Sequence, residues 1–241
     1  MFRSFLLLVW LASATAAAAS PATDEARRLM AQNQNEAAFE RLEAASRRND
    51  EDATALLGWF YDTGRHVSQS YERAAELYRR VSRDNPSVQW RLGVMYDLGQ
   101  GVREDPEEAV RLFRAAAAAP NDAANTSANA NASLAVMYAN GRGVRADFGQ
   151  AMRYYRRAAD LGSGAGFLGV GMLYQYGMGV GRSAPEAAAW YLAATALRDS
   201  RARQLFTELG LDAAGTRTAV NRANQLLQSY RRRERVTNPG S

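Results

Sequence analysis

A five-residue string returns four times along this chain: Leu57-Gly58-Trp59-Phe60-Tyr61, Leu92-Gly93-Val94-Met95-Tyr96, Leu134-Ala135-Val136-Met137-Tyr138 and Val170-Gly171-Met172-Leu173-Tyr174. Three residues past each tyrosine stands a glycine, at Gly64, Gly99, Gly141 and Gly177. Three further on is a valine, at Val67, Val102, Val144 and Val180. Seven beyond that is an alanine, at Ala74, Ala109, Ala151 and Ala187, and then an aromatic, at Tyr78, Phe113, Tyr155 and Tyr191. The glycines lie 35, 42 and 36 residues apart. Self-similarity of this period marks supersecondary units that bury their apolar faces only by stacking on one another.

Each position has a physical role in a two-helix unit. Leu, Met and Tyr at helical spacing form a buried stripe. The small residue at Gly58, Gly93, Ala135 and Gly171 lets the second helix come close, and the recurrent alanine does so from the other side. The glycine after the tyrosine ends the first helix in a left-handed conformation. A second glycine at Gly101, Gly143 and Gly179 turns the loop again; His66 replaces it in the first unit, which puts that loop's geometry in question. Asp105-Pro106-Glu107-Glu108 reads as a helix start, with a capping acid and proline in the first turn. Ser70 and Ser183 stand where Asp105 and Asp147 do, and serine caps too.

The pattern resembles the Sel1-like repeat, a relative of the tetratricopeptide repeat with a longer loop between its helices. The paired loop glycines and the tyrosine three before the first of them carry the resemblance, over four units at about 51–85, 86–119, 128–163 and 164–198. The expected fold is all-α, a right-handed α-solenoid of antiparallel helix pairs. A shorter tetratricopeptide-like pair, at 24–33 and 36–48 within residues 20–50, precedes the units. Capping helices at 201–209 and 216–233, within residues 199–236, are expected to close the array, because a solenoid needs polar outer faces at its ends. Residues 117–132, rich in Ala and Asn, read as an exposed loop between repeats, and 237–241 as a disordered tail.

The first 19 residues read as a secretory signal: Arg3, the apolar stretch Phe5 to Ala12, then Ala17-Ala18-Ala19 before Ser20. The stretch is too short for a membrane span, which needs about 20 apolar residues. The expected location is therefore the periplasm, or outside the cell.

Composition then narrows the chemistry. All 30 basic side chains are arginine, there is no cysteine and there is one histidine. A phosphate-binding loop built on lysine, Schiff-base chemistry, thiolate catalysis, disulfides and a multi-histidine metal centre are excluded. No cofactor and no metal are expected. Gly164-Ala165-Gly166-Phe167-Leu168-Gly169 fits the dinucleotide fingerprint G-x-G-x-x-G, but no strand precedes it. Asn125-Thr126-Ser127 and Asn131-Ala132-Ser133 fit the glycosylation sequon, which matters only in a eukaryotic secretory pathway. His66 reads as a tolerated turn residue.

What remains is a surface. The resemblance places the first helix of each unit on a concave face. It maps that face onto Trp59 and Asp62, then Trp90, Val94 and Asp97, then Val136 and Asn140, then Met172, Gln175 and Tyr176. Tryptophan, tyrosine and methionine are frequent anchors of binding surfaces. The basic run Arg231, Arg232, Arg233 and Arg235 offers at most a weak contact with an anionic surface. No nucleic acid is expected. The resemblance implies a non-enzymatic scaffold, adaptor or regulator of bacterial cell-envelope processes, working through a protein partner. The alternative is a glycan- or peptidoglycan-directed protein, hydrolytic through Asp62 and Asp97, since carboxylates about 5–10 Å apart are what a glycosidase uses.

Overall fold

The computed structural model describes residues 20–119 and 124–237, with side chains as far as 232. The signal-like segment and the last four residues of the tail lie outside the described residues. The chain divides into two compact units, one ending at Ala123 and the other starting at Ala124. Every regular element among the described residues is an α-helix. The first unit holds α1 (Pro21–Ala31), α2 (Asn35–Ser46), α3 (Glu51–Thr63), α4 (Tyr71–Val81), α5 (Pro86–Leu98) and α6 (Pro106–Ala117). The second holds α7 (Ala124–Asn140), α8 (Phe148–Asp160), α9 (Gly164–Tyr176), α10 (Ala184–Ala196), α11 (Ser200–Glu208) and α12 (Ala213–Thr237). Within each unit consecutive helices pack on one another as far as α11, and the long α12 lies along α10 instead. The fold is an all-α solenoid of helix pairs.

The helix ends follow from local chemistry. The side chains of Asp50, Ser70, Asn85, Asp105, Asp147, Ser163 and Ser183 each accept a backbone N–H in the first turn of the helix that follows. The loop glycines Gly64, Gly99, Gly141 and Gly177 all sit at φ between 64° and 69°. The repeated tyrosine clips the loop. The carbonyls of Tyr61, Tyr96, Tyr138 and Tyr174 accept from the N–H of Ser70, Asp105, Asp147 and Ser183 at 2.9–3.0 Å. The close approach of paired helices is real as well. A Cβ on Gly93 would lie 2.7 Å from the Phe113 ring, and one on Gly171 2.5 Å from that of Tyr191. Ala74, Ala109, Ala151 and Ala187 are fully buried.

His66 takes the second loop position at φ 68°, the conformation its glycine counterparts take. A Cβ on Gly101 would collide with the backbone of Tyr71 at the start of α4, and one on Gly179 would lie 2.7 Å from the Cβ of Phe148 at the start of α8. His66 instead meets the short turn between α1 and α2, and its ring lies tilted 5.9 Å from that of Phe39. The loop of the first repeat thus keeps its geometry, and the leading pair leaves room for a side chain.

The expected loop over 117–132 is corrected. Helix α7 begins at Ala124, and Thr126, Ser127, Ala128, Ala130 and Asn131 are buried in it. The amide of Asn131 donates to the Ser127 carbonyl at 2.8 Å. Small side chains without apolar bulk suit a helix packed tightly on α8. The second sequon therefore lies in a buried helix face.

Candidate functional site

Asp62, expected at a groove, is buried at 6% exposure. Arg91 of α5 grips it through Nε on Oδ2 at 2.5 Å and Nη2 on Oδ1, and the Tyr78 hydroxyl donates to Oδ2 at 3.3 Å. Burial, and then the charge of Asp62, raise the Tyr78 phenol well above its ordinary range. Burial works against the Arg91 charge, but the hydrogen bonds and charge of Asp62 hold its pKa above the usual value. Gln175 plays the same part in the fourth repeat, where its side-chain oxygen accepts from the Tyr191 hydroxyl at 2.5 Å. In the first and fourth repeats this position thus satisfies the phenol of the paired helix.

Trp59 is likewise a correction. It is 8% exposed in the core of the first unit, edge-on to Phe60 at 5.5 Å, with the Arg65 guanidinium 5.7 Å from its ring. Its aromatic bulk is used against the leading helix pair. Trp90, Val94 and Asp97 are half-buried on α5.

The second unit is different. Val136 and Asn140 of α7 and Met172 and Tyr176 of α9 line one cleft of about 700 Å³. Its apolar rim is open: Val136 is 42% exposed, Met172 41%, Tyr176 56% and Met178 38%. Sequence reading missed Met178, Tyr155 of α8 and Arg201 of α11, which line it too. The signal for them was present in the repeat register. Where the first unit has Asp62 on one helix and Arg91 on the next, the second has Ala139 and Gly169, both in the cleft wall. Two small residues stand in place of an ion pair, and the space opens. The Tyr155 ring packs on Gly169. Burial raises the Tyr155 phenol above its ordinary value, and Ala139 stands at the position where Asp62 and Gln175 supply an acceptor to the phenols of the first and fourth repeats.

Arg201 is fixed at the cleft by Asp199, whose Oδ2 lies 2.9 Å from Nη2 and whose Oδ1 accepts from both Nε and the backbone N–H. Those bonds leave the remaining guanidinium donors available. The unit is also strongly basic. From Ala124 onward there are 15 arginines and 7 carboxylates, net +8; up to Ala123 there are 15 and 18, net −3. Arg145, Arg153, Arg157, Arg198 and Arg203 are exposed and make no ion pair among the described residues. Arg231 and Arg232 are exposed on α12, whereas the side chains of Arg233 and Arg235 lie outside the described residues.

No group of three or more His, Cys, Asp or Glu side chains among the described residues could hold a metal ion, and no described helix is long and apolar enough to cross a membrane. The glycines of the G-x-G-x-x-G string lie inside α9, where Gly166 packs on α8.

The Sel1 repeat family matches residues 51–83, 86–121, 128–163 and 167–199. No curated protein matches the chain. Among solved structures, the chain is similar to a Sel1 repeat protein from Oxalobacter formigenes, with TM-score 0.70 and 24% identity over 87% of this chain and 84% of that one. It is also similar to a protective antigen of uropathogenic Escherichia coli displaying an SLR fold, with TM-score 0.63 and 27% identity over 78% of this chain and 41% of that one. A Sel1 repeat protein from Klebsiella pneumoniae aligns with TM-score 0.51 and 20% identity over 79% of this chain and 92% of its own.

Proposed function

The chain belongs to the Sel1 repeat family, and from that premise we propose that it is a non-enzymatic protein-binding scaffold, exported to the bacterial periplasm, where it serves as an adaptor or regulator of cell-envelope processes. Sel1 repeats form a fold typical of protein–protein interaction scaffolds. The observation that carries the reading is the cleft of the second unit, where exposed Val136, Met172, Tyr176 and Met178 converge on one depression. Exposed apolar groups that cluster mark interaction sites, whereas singly scattered ones do not. The hydrolytic alternative loses Asp62 to the Arg91 ion pair, because a carboxylate held by a guanidinium and a phenol inside the core meets no substrate.

Export rests on the Arg3, apolar and Ala17-Ala18-Ala19 sequence of the first residues. A photo-crosslinking amino acid at Tyr176, with a second at exposed Arg111 as reference, tests the binding reading in living cells. Discrete protein adducts at residue 176 are expected. Adducts at 111 with none at 176 would place binding elsewhere. Mass spectrometry of the periplasmic fraction should find a chain starting at Ser20; recovery with Met1 intact in the cytoplasm would refute export.

A further inference from the structure

We propose that the cleft of the second unit takes an acidic peptide segment carrying one large apolar anchor side chain. The proposal rests on the protein-binding reading and names the partner's chemistry. Three observations converge on it. The floor and rim are apolar at Val136, Leu168, Met172 and Tyr176, and about 700 Å³ accommodates one or two large side chains. Polar groups stand among them: the Asn140 amide, the Tyr155 hydroxyl and the Arg201 guanidinium. A peptide backbone and a carboxylate satisfy such groups, while an acyl chain would leave them without partners. Around them lies a unit of net +8 in which Arg145, Arg153, Arg157, Arg198 and Arg203 are exposed and make no ion pair among the described residues. Desolvated apolar contact holds the anchor, and the surrounding positive field draws in carboxylates.

The repeat register supplies a plug. Gln175, Asp62 and Asp97 occupy the position that Ala139 holds in the third repeat, so Ala139→Gln places a long side chain in the cleft at a site where the fold carries one. Fluorescence anisotropy on the full chain, with labelled synthetic peptides as probes, provides the test. One peptide alternates Glu and Asp around a single Phe and Leu. A second replaces the acids with Gln and Asn, a third with Lys, and a fourth keeps the acids but replaces Phe and Leu with Ser. The first should bind tightest, with roughly tenfold or greater losses for each of the others and for the first on the Ala139→Gln and Arg201→Glu variants. Circular dichroism melts of both variants matching the parent exclude misfolding.

Equal binding of the lysine peptide, equal binding of the anchorless acidic peptide, or indifference to Ala139→Gln each overturns the proposal. So does stronger binding to vesicles containing phosphatidylglycerol than to the acidic anchor peptide. If no peptide binds while residue 176 still crosslinks a protein in cells, the peptide inference fails and the scaffold reading stands. If neither occurs, the scaffold reading fails too.

Discussion

Arg91 shows how one side chain decides what a neighbouring residue can do. Asp62 is buried, and without its guanidinium the carboxylate would face only the Tyr78 hydroxyl. Removing one member of a buried pair leaves a charge uncompensated. Arg91→Ala should therefore lower the unfolding free energy by about 3 kcal/mol, at the low end of that range because the Arg91 side chain is 24% exposed. The double variant Asp62→Asn, Arg91→Leu should recover more than half of that loss in urea titrations. Tyr78 adds a pH dependence. Its phenol ionises at a higher pH in the folded chain than the ordinary value of about 10. The folded state then holds a proton that the unfolded chain releases, so this stabilisation is complete below about pH 10 and is lost as pH rises above it. Urea midpoints compared at pH 8 and pH 11 should fall less for Tyr78→Phe than for the parent, and not vanish, because burial raises Tyr155 and Tyr191 also. Nothing local to Asp62 announced this role, since its partner stands 29 residues away. It was legible only in register, as opposite charges at two fixed positions of adjacent repeats.

Loops and helices differ in how much of them a sequence shows. The left-handed turns were visible because glycine marks them residue by residue. His66 kept the turn without the marker, because the short α1–α2 connection leaves space where Tyr71 and Phe148 crowd the second and fourth repeats. His66→Gly should accordingly shift stability by less than about 1 kcal/mol, with relief of left-handed strain set against lost contact with Phe39 and a looser unfolded chain. Gly101→Ala should cost more than about 2 kcal/mol, because the added methyl meets main chain that cannot step aside. Thermal melts of the pair check the contrast. The start of α7 was misread for the opposite reason: Ala and Asn lack the apolar stripe that reveals a helix, and only packing on α8 decides their state. Amide hydrogen exchange should find residues 128–132 protected to the same order as 133–138; exchange at loop rates would contradict the helix.

At the scale of the molecule, the ten residues mapped to a single face do not behave alike, and Trp90, Val94 and Asp97 are merely half-buried on α5. Trp59, Asp62 and Gln175 support packing, whereas Val136, Asn140, Met172 and Tyr176 meet at one cleft. Periodicity finds which positions recur, but the identity of the residue opposite decides whether a position is filled or open. The charge division separates two contributions to binding that can be measured independently. Long-range attraction by a unit of net +8 acts on encounter and is screened by salt, with a Debye length of about 10 Å at 0.1 M falling to about 3 Å at 1 M. Contact in the cleft acts after encounter and sets how long the anchor stays. For an acidic anchor peptide, raising salt from about 0.05 to about 0.5 M should slow association roughly tenfold with little change in dissociation. Ala139→Gln should instead speed dissociation and leave association within about twofold. Stopped-flow traces on the parent and the variant at both salt levels give the four rates. If salt and the plug acted on the same rate constant, charge and cleft would not be separate features of one site, and the basic surface alone would account for binding.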